Sequence, residues 1–181
     1  MNAPVRAFVG LGANLGQPVR AIADALQDLA ELADTQLTAH SSLYRSAPVD
    51  AHGPDFINAV AELHTAMEPH ALLSALQSLE HARGRVRSFR NAPRVLDLDL
   101  LIWGEITLDE PRLTLPHPRM HQRAFVLTPL AEIAPELRLP GLPPLAALLA
   151  ACGGQRVQRL SPDAADAPRN SSPWRCSRPS R

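Results

Sequence analysis

The chain is predicted to be an α+β protein with helices packed on an antiparallel sheet, and three observations carry that expectation. Runs in which every second residue is apolar are interleaved with runs at helical spacing. Two prolines, Pro18 and Pro69, stand where helices can begin. The order strand, helix, strand, strand, helix, strand, then further helices, departs from the regular alternation of a parallel sheet. Together these imply a ferredoxin-like three-layer α-β-α sandwich.

The elements follow in order. Residues 5–11 form a first strand that runs into the turn-rich segment 10–16, GLGANLG. Pro18 then opens a helix whose Val19, Ile22, Leu26, Leu29 and Ala33 should face the core. A second strand is expected over 36–45, then a loop over 46–54. A third strand spans 56–65, with Phe56, Asn58, Val60, Glu62 and His64 on one face and Ile57, Ala59, Ala61 and Leu63 on the other. Pro69 starts a second helix that buries Leu72, Leu73, Leu76 and Leu79, with Gly84 as its stop. An arginine-rich loop, 85–94, leads to a fourth strand over 95–103. A short edge hairpin is expected over 107–115, a third helix over 119–128 and a fourth over 144–151. Residues 1–160 therefore form one domain. Residues 161–181 are rich in Pro, Ser, Arg and Asp, with little to bury, and read as a disordered tail.

Composition narrows the function. The 181 residues carry 18 basic and 18 acidic side chains, so the balance does not call for a polyanionic partner such as nucleic acid. Aromatics are 4%, too few for a base-stacking platform. None of the basic residues is lysine, which excludes Schiff-base chemistry and a phosphate-loop lysine, although a GC-rich genome is a sufficient origin for the bias. Cys152 and Cys176 make no metal-ligand spacing and suit a reducing compartment. No signal peptide and no membrane span are read, so a cytoplasmic protein is expected.

The chemistry concentrates in residues 83–103, RGRVRSFRNAPRVLDLDLLIW. Arg83, Arg85, Arg87, Arg90 and Arg94 precede Asp97 and Asp99. Alternation along a strand points both aspartates one way and Leu96, Leu98 and Leu100 the other. Two carboxylates one strand step apart, beside apolar residues, are costly to leave unpaired. A divalent cation resolves the repulsion, and a few hard oxygen ligands suit Mg²⁺ completed by water and substrate phosphates. Guanidinium groups beside such a site make a polyphosphate cradle. The alternative is a set of surface Arg–Asp salt bridges. The placement of the aspartates inside an apolar strand favours the site.

The segment 90–101, RNAPRVLDLDLL, resembles the signature of the hydroxymethyldihydropterin pyrophosphokinases: a basic residue, Gly or Ala, Pro-Arg, then D-x-D in an apolar run. Four other segments resemble that family in order and spacing: 10–16, the SSLYRS at 41–46, the DFINA at 55–59, and the LPHPRM at 115–120 with Arg123 and Phe125. The similarity covers residues 5 to about 140. The resemblance implies an ATP-dependent transfer of pyrophosphate to 6-hydroxymethyl-7,8-dihydropterin in folate biosynthesis, by a monomer. Asp97 and Asp99 would hold two Mg²⁺ ions, and Arg85 and Arg94 would contact the phosphates. Glu80 and Leu100 would seat the adenine and ribose, with Arg112, Thr114, His117 and Arg123 also on the nucleotide side. Phe56 and Phe125 would sandwich the pterin. Asn58 would bond its ring edge, Ser46, Ala47 and Val49 would add backbone contacts, and Asp97 would also meet this substrate.

Other signals are weaker. The glycines at 10, 12 and 16 do not have the G-x-G-x-x-G spacing of a dinucleotide site, and a strand-to-helix turn explains them. His117 and His121 are four apart, but Pro116 and Pro118 place His117 in a loop, against a zinc site. The arginine loop could bind RNA, yet no aromatic K/R-G-F/Y run accompanies it. The rival to an enzyme is a catalytically silent binding module on the same fold, and retention of Asp97, Asp99 and Arg94 argues against it.

Overall fold

The computed structural model describes residues 3–48, 53–83 and 95–161. Three layers are observed, with a six-stranded sheet in the middle. Strand β1 (Val5–Ala13) is central, flanked antiparallel by β4 (Phe56–Thr65) and β5 (Asp97–Trp103). β5 forms one edge of the sheet. The expected strand over 36–45 is two strands, β2 (Thr35–His40) and β3 (Tyr44–Ser46), which pair with opposite halves of β4. Between them Ser41 is stitched to Val60: its N–H donates to the Val60 carbonyl at 2.9 Å, and its Oγ accepts from Val60 N–H at 3.0 Å.

Helices α1 (Pro18–Ala30) and α2 (Pro69–Ala82) begin at the expected prolines and cover one face. Ala7, Val9 and Leu11 of β1, Ile57, Ala59 and Leu63 of β4, and Leu96, Leu98 and Leu100 pack there against Ile22, Leu29, Leu72 and Leu76. Ala33 is exposed, contrary to expectation. The helix has ended by then, and Asp34 takes a left-handed φ of 53°. Gly84, the expected stop of α2, lies outside the described residues; the helix ends at Ala82 with Arg83 as C-cap.

The opposite face is covered by α3 (Ala124–Ile133) and α4 (Leu145–Ala151), which seal Phe8, Val60, Leu101 and Ile102. The expected third helix starts later than read. A 3-10 turn occupies Met120–Gln122, and Arg123 is extended (φ −124°, ψ 102°), so the α-helix begins only at Ala124. The expected hairpin is present as β6 (Leu108–Glu110) and β7 (Leu113–Leu115). A strand that was not expected, β8 (Val157–Arg159), pairs with β3. Arg159 fixes it, donating from Nε to Ser42 Oγ at 2.9 Å and pairing with Glu132 of α3 at 3.2 Å.

One irregularity in β5 sets the site. The register to β1 shifts between Phe8 and Val9, so Val9 faces Leu100 while Phe8 faces Ile102. The bulged Leu101 joins Ile102 on the α3/α4 face. Asp97 and Asp99 keep that same face by alternation, beyond the end of the apolar packing.

Candidate active site

Paired residues in an antiparallel ladder share a face. Gly12 pairs with Asp97 on one side and Asn58 on the other, and Gly10 pairs with Asp99 and Val60. The α3/α4 face therefore carries a row reading Asp97, Gly12, Asn58 across three strands. Gly10 and Gly12 sit in the central strand yet are only half-buried. The central strand contributes no side chain at either position, and Leu101 borders Gly10. The result is a trough floored by glycine, with acids on one wall and Asn58 on the other. These glycines were expected in a strand-to-helix turn. They lie inside β1, and the trough they make was not anticipated. A Cβ on Gly12 would meet Asn58 Oδ1 at 3.5 Å, and one on Gly10 the Leu101 side chain at 3.4 Å, both ordinary van der Waals contacts.

Asn58 is buried, and its Nδ2 donates to Ser46 Oγ at 2.9 Å. Phe56 lies two residues before it on the same face and pairs with Ser46. Phe125, on the first turn of α3, packs against the core beneath that layer, with the Arg123 guanidinium 5.5 Å from its ring centre. The expected pterin-side residues Ser46, Phe56, Asn58 and Phe125 thus belong to one face of the sheet. Ala47 is exposed just beyond β3, and Val49 lies outside the described residues.

A second compartment adjoins the trough at the sheet edge. Glu80, Asp99, Leu100, Arg112, Thr114 and His117 line a cleft of about 270 Å³ between α2, β5 and the β6–β7 hairpin. Glu80 is 1% exposed, and its Oε1 accepts the Leu98 N–H at 2.8 Å. That bond occupies an outward-facing amide of the edge strand and ties α2 to β5. Leu100, two residues on, offers its main chain to the same side, where the cleft lies. Asp99 is common to both compartments: it lines the cleft and stands beside Gly10 in the trough.

His117 sits at the cleft with its own N–H bonded to the Leu101 carbonyl at 2.8 Å. Burial pushes its pKa down to about 4, the Arg123 and Arg119 cations push the same way, and Asp97 opposes them. The ring is neutral at pH 7. Arg119 N–H donates to His117 Nδ1 at 3.2 Å, so the ring proton belongs on Nε2. A neutral N–H donor facing a cleft suits an anionic oxygen. A group with so low a pKa is a poor general base.

Arg83 is turned toward α1. Its guanidinium donates to Asp28 at 2.6 Å and Asp24 at 3.2 Å on α1, which anchors the C-terminal end of α2. Arg85, Arg87, Arg90 and Arg94 lie outside the described residues. Among the described residues no group of three or more His, Cys, Asp and Glu side chains is placed to hold a metal. A pair of carboxylates still fits Mg²⁺, which takes one or two protein ligands and completes its shell with water and phosphate oxygens.

These features define a class: a ferredoxin-like α+β sandwich with a two-compartment site on its sheet, acidic where the compartments meet. The profile of the 7,8-dihydro-6-hydroxymethylpterin-pyrophosphokinase (HPPK) family matches residues 8–135, and the chain belongs to that family. It is 50% identical over 156 residues to a 2-amino-4-hydroxy-6-hydroxymethyldihydropteridine pyrophosphokinase of Pseudomonas aeruginosa, covering 86% of this chain and 96% of that one. It is 40% identical over 159 residues to the protein of that name from Haemophilus influenzae, covering 87% and 99%. The fold is similar to a crystal structure of HPPK-DHPS in complex with substrates, with a TM-score of 0.69 at 12% identity. That match covers 83% of this chain and 43% of the longer one. No helix among the described residues is long and apolar enough to cross a membrane.

Proposed function

We propose that this chain transfers pyrophosphate from ATP to the hydroxyl of 6-hydroxymethyl-7,8-dihydropterin, with the cleft as nucleotide site and the trough as pterin site. The observation that carries this reading is the position of Asp99 where the two compartments meet, with Asp97 beside it in the trough. A reaction between two bound molecules needs its charge-handling groups there. The row from Asn58 across Gly12 to Asp97 spans two strand spacings, roughly 10 Å. That is the length scale of a bicyclic ring with a one-carbon arm. A ring over Gly12, its edge at Asn58, directs the arm to Asp97, and Phe56 and Phe125 give it flat apolar neighbours.

Leu100 and Thr114 border the adenine and ribose, and Glu80 acts by holding the β5 edge straight through Leu98. Arg112, Arg123 and the Nε2–H of His117 donate to phosphate oxygens, joined by Arg85 and Arg94. Ala47 and Val49 complete the pterin side. Asp97 and Asp99 would hold two Mg²⁺, which when bound neutralise phosphate charge and make the substrate hydroxyl more acidic. The depressed His117 pKa agrees with a reaction that uses no histidine base. The enzyme works as a monomer, and dependence on ATP supports a cytoplasmic location. Residues 1–160 constitute the catalytic domain, with 161–181 dispensable.

The test is product analysis after a single turnover with ATP, Mg²⁺ and hydroxymethyldihydropterin, read by phosphorus NMR. Attack on the β-phosphorus gives AMP and the pterin diphosphate in equal amounts. ADP with a monophosphorylated pterin would refute the reaction assigned here.

A further inference from the structure

We infer that the Gln155 side chain is a positioning group for Arg123: it bridges the break between the 3-10 turn Met120–Gln122 and α3, and so fixes the backbone that carries the Arg123 guanidinium. That role rests on the reading of Arg123 as a phosphate donor given above. Gln155 itself lies beyond residues 8–135, over which the family profile matches.

The backbone around Arg123 shows why an outside group is needed. Arg123 is extended between the turn and the helix (φ −124°, ψ 102°), and its own side chain makes no cap to α3. Two of the four peptide groups flanking it are bonded locally. The Arg123 N–H donates to the Met120 carbonyl at 3.2 Å, and the Arg123 carbonyl accepts the Val126 and Leu127 N–H groups at 3.0 Å each. The Gln122 carbonyl and the Ala124 N–H are left over, because an extended residue takes both out of the helical ladder. Gln155 serves both. Its Oε1 accepts the Ala124 N–H at 2.9 Å, and its Nε2 donates to the Gln122 carbonyl at 2.8 Å. A main-chain N–H only donates and a carbonyl only accepts, so these partners admit one orientation of the amide. The two bonds bracket Arg123 across both of its peptide planes.

Gln155 is held from its own side as well. Its N–H donates at 2.9 Å to the carbonyl of Cys152, the buried C-cap of α4. Two residues after Gln155, β8 begins its pairing with β3, and Leu160 N–H then donates to the Leu43 carbonyl at 2.8 Å. The link from α4 to β8 is thus pinned at both ends and presents the amide from a fixed frame, as a supporting group requires. Gln155 is exposed and adds little to the core, yet both of its side-chain bonds go to the backbone on either side of one site residue.

The test is a double-mutant cycle in the full chain between Gln155→Met, which keeps the length and removes both bonds, and Arg123→Ala. It is read as kcat/KM for ATP from AMP release, with Mg²⁺ and saturating hydroxymethyldihydropterin. Gln155→Met alone is expected to lower kcat/KM for ATP about tenfold, with the pterin KM held within about twofold. In the Arg123→Ala background the same change is expected to cost less than about twofold, because no guanidinium is left to misplace. An equal loss in both backgrounds would overturn the inference, since a cap that serves stability alone acts independently of Arg123. Unchanged kcat/KM in Gln155→Met would overturn it too, whatever the melting temperature. Gln155→Asn, one methylene too short to reach both groups, stands in should Gln155→Met not fold, and is expected to give the same pattern. If Arg123→Ala itself left kcat/KM for ATP unchanged, the phosphate reading and the role of Gln155 would fall together. A clear Arg123→Ala loss with no Gln155 effect would refute the role of Gln155 alone.

Discussion

The two faces of the sheet are built from the same strands and do opposite things. On the α1/α2 face, Val9, Leu11, Leu63 and Leu98 pack with two amphipathic helices and bury β1 from Ala7 to Ala13. On the α3/α4 face the apolar packing stops at Phe8, Val60 and Leu101. Beyond it the same three strands present Asp97, Asp99, Gly10, Gly12 and Asn58. Residues one apart in sequence, such as Leu98 and Asp99, thus belong to environments with different demands. The first face supplies burial energy, and the second presents polar groups beside bare glycine backbone.

Substitutions on the two faces should separate activity from stability. Asp97→Asn and Asp99→Asn should each lower turnover roughly 10²–10³-fold, a loss of about 3–4 kcal/mol in transition-state stabilisation. Thermal stability should be unchanged or slightly raised, because a repulsive pair is relieved. Near-normal turnover of either variant at saturating Mg²⁺ would sink the metal assignment.

The reverse pattern is expected for Leu63→Ala. Leu63 is fully buried in the core on the α1/α2 face. Removing it should cost about 2–5 kcal/mol in denaturant unfolding, while the folded fraction keeps its kcat. A selective loss of kcat with no loss of stability would blur the distinction between the faces.

The polar rim that ties α3 to β3 should give way in alkali. Burial of Tyr44, with its hydrogen bond to Glu132 and that carboxylate's charge, raises its pKa to about 12, partly offset by Arg159. The folded state therefore holds this proton more tightly than the unfolded chain, in which tyrosine titrates near 10. Stability is fully present below pH 10 and falls as pH rises from 10 to 12, by about 1–3 kcal/mol. Tyr44→Phe should flatten that part of a pH-dependent unfolding curve; an unchanged slope would mean another group governs it.

Gly12→Val sharpens the contrast further. Valine suits a strand better than glycine, so the melting temperature should hold or rise. The side chain would occupy the trough and raise the pterin KM about tenfold, leaving the ATP KM alone. The smallest effect is expected for removal of residues 161–181, which lie outside the described residues apart from Ser161. Activity and melting temperature should stay within the error of the full chain, and a several-fold drop in turnover would show that the segment serves the site.

What the sequence determined alone was whatever short-range periodicity encodes. Alternation in residues 97–103 placed both aspartates on one side and the leucines on the other, and the prolines at 18 and 69 marked two helix starts. The fold class followed from element order. The family resemblance implies Glu80, Leu100, Arg112, Thr114 and His117 as nucleotide-side residues, although no local pattern says that they surround one cleft. The alternation of Ala7, Val9, Leu11 and Ala13 also runs unbroken through Gly10 and Gly12, and could have shown those glycines to be strand residues. Tertiary structure alone decided the rest. β8 has three half-buried or exposed residues and no pattern of its own, and exists because β3 offers an edge to pair with. The bulge at Leu101 arises from fitting β5 to β1. The low pKa of His117 comes from burial and from cations that are near it only in the folded chain. The trough is a property of three strands in register: glycine in one strand becomes a floor only when an acid and an amide stand on the strands beside it.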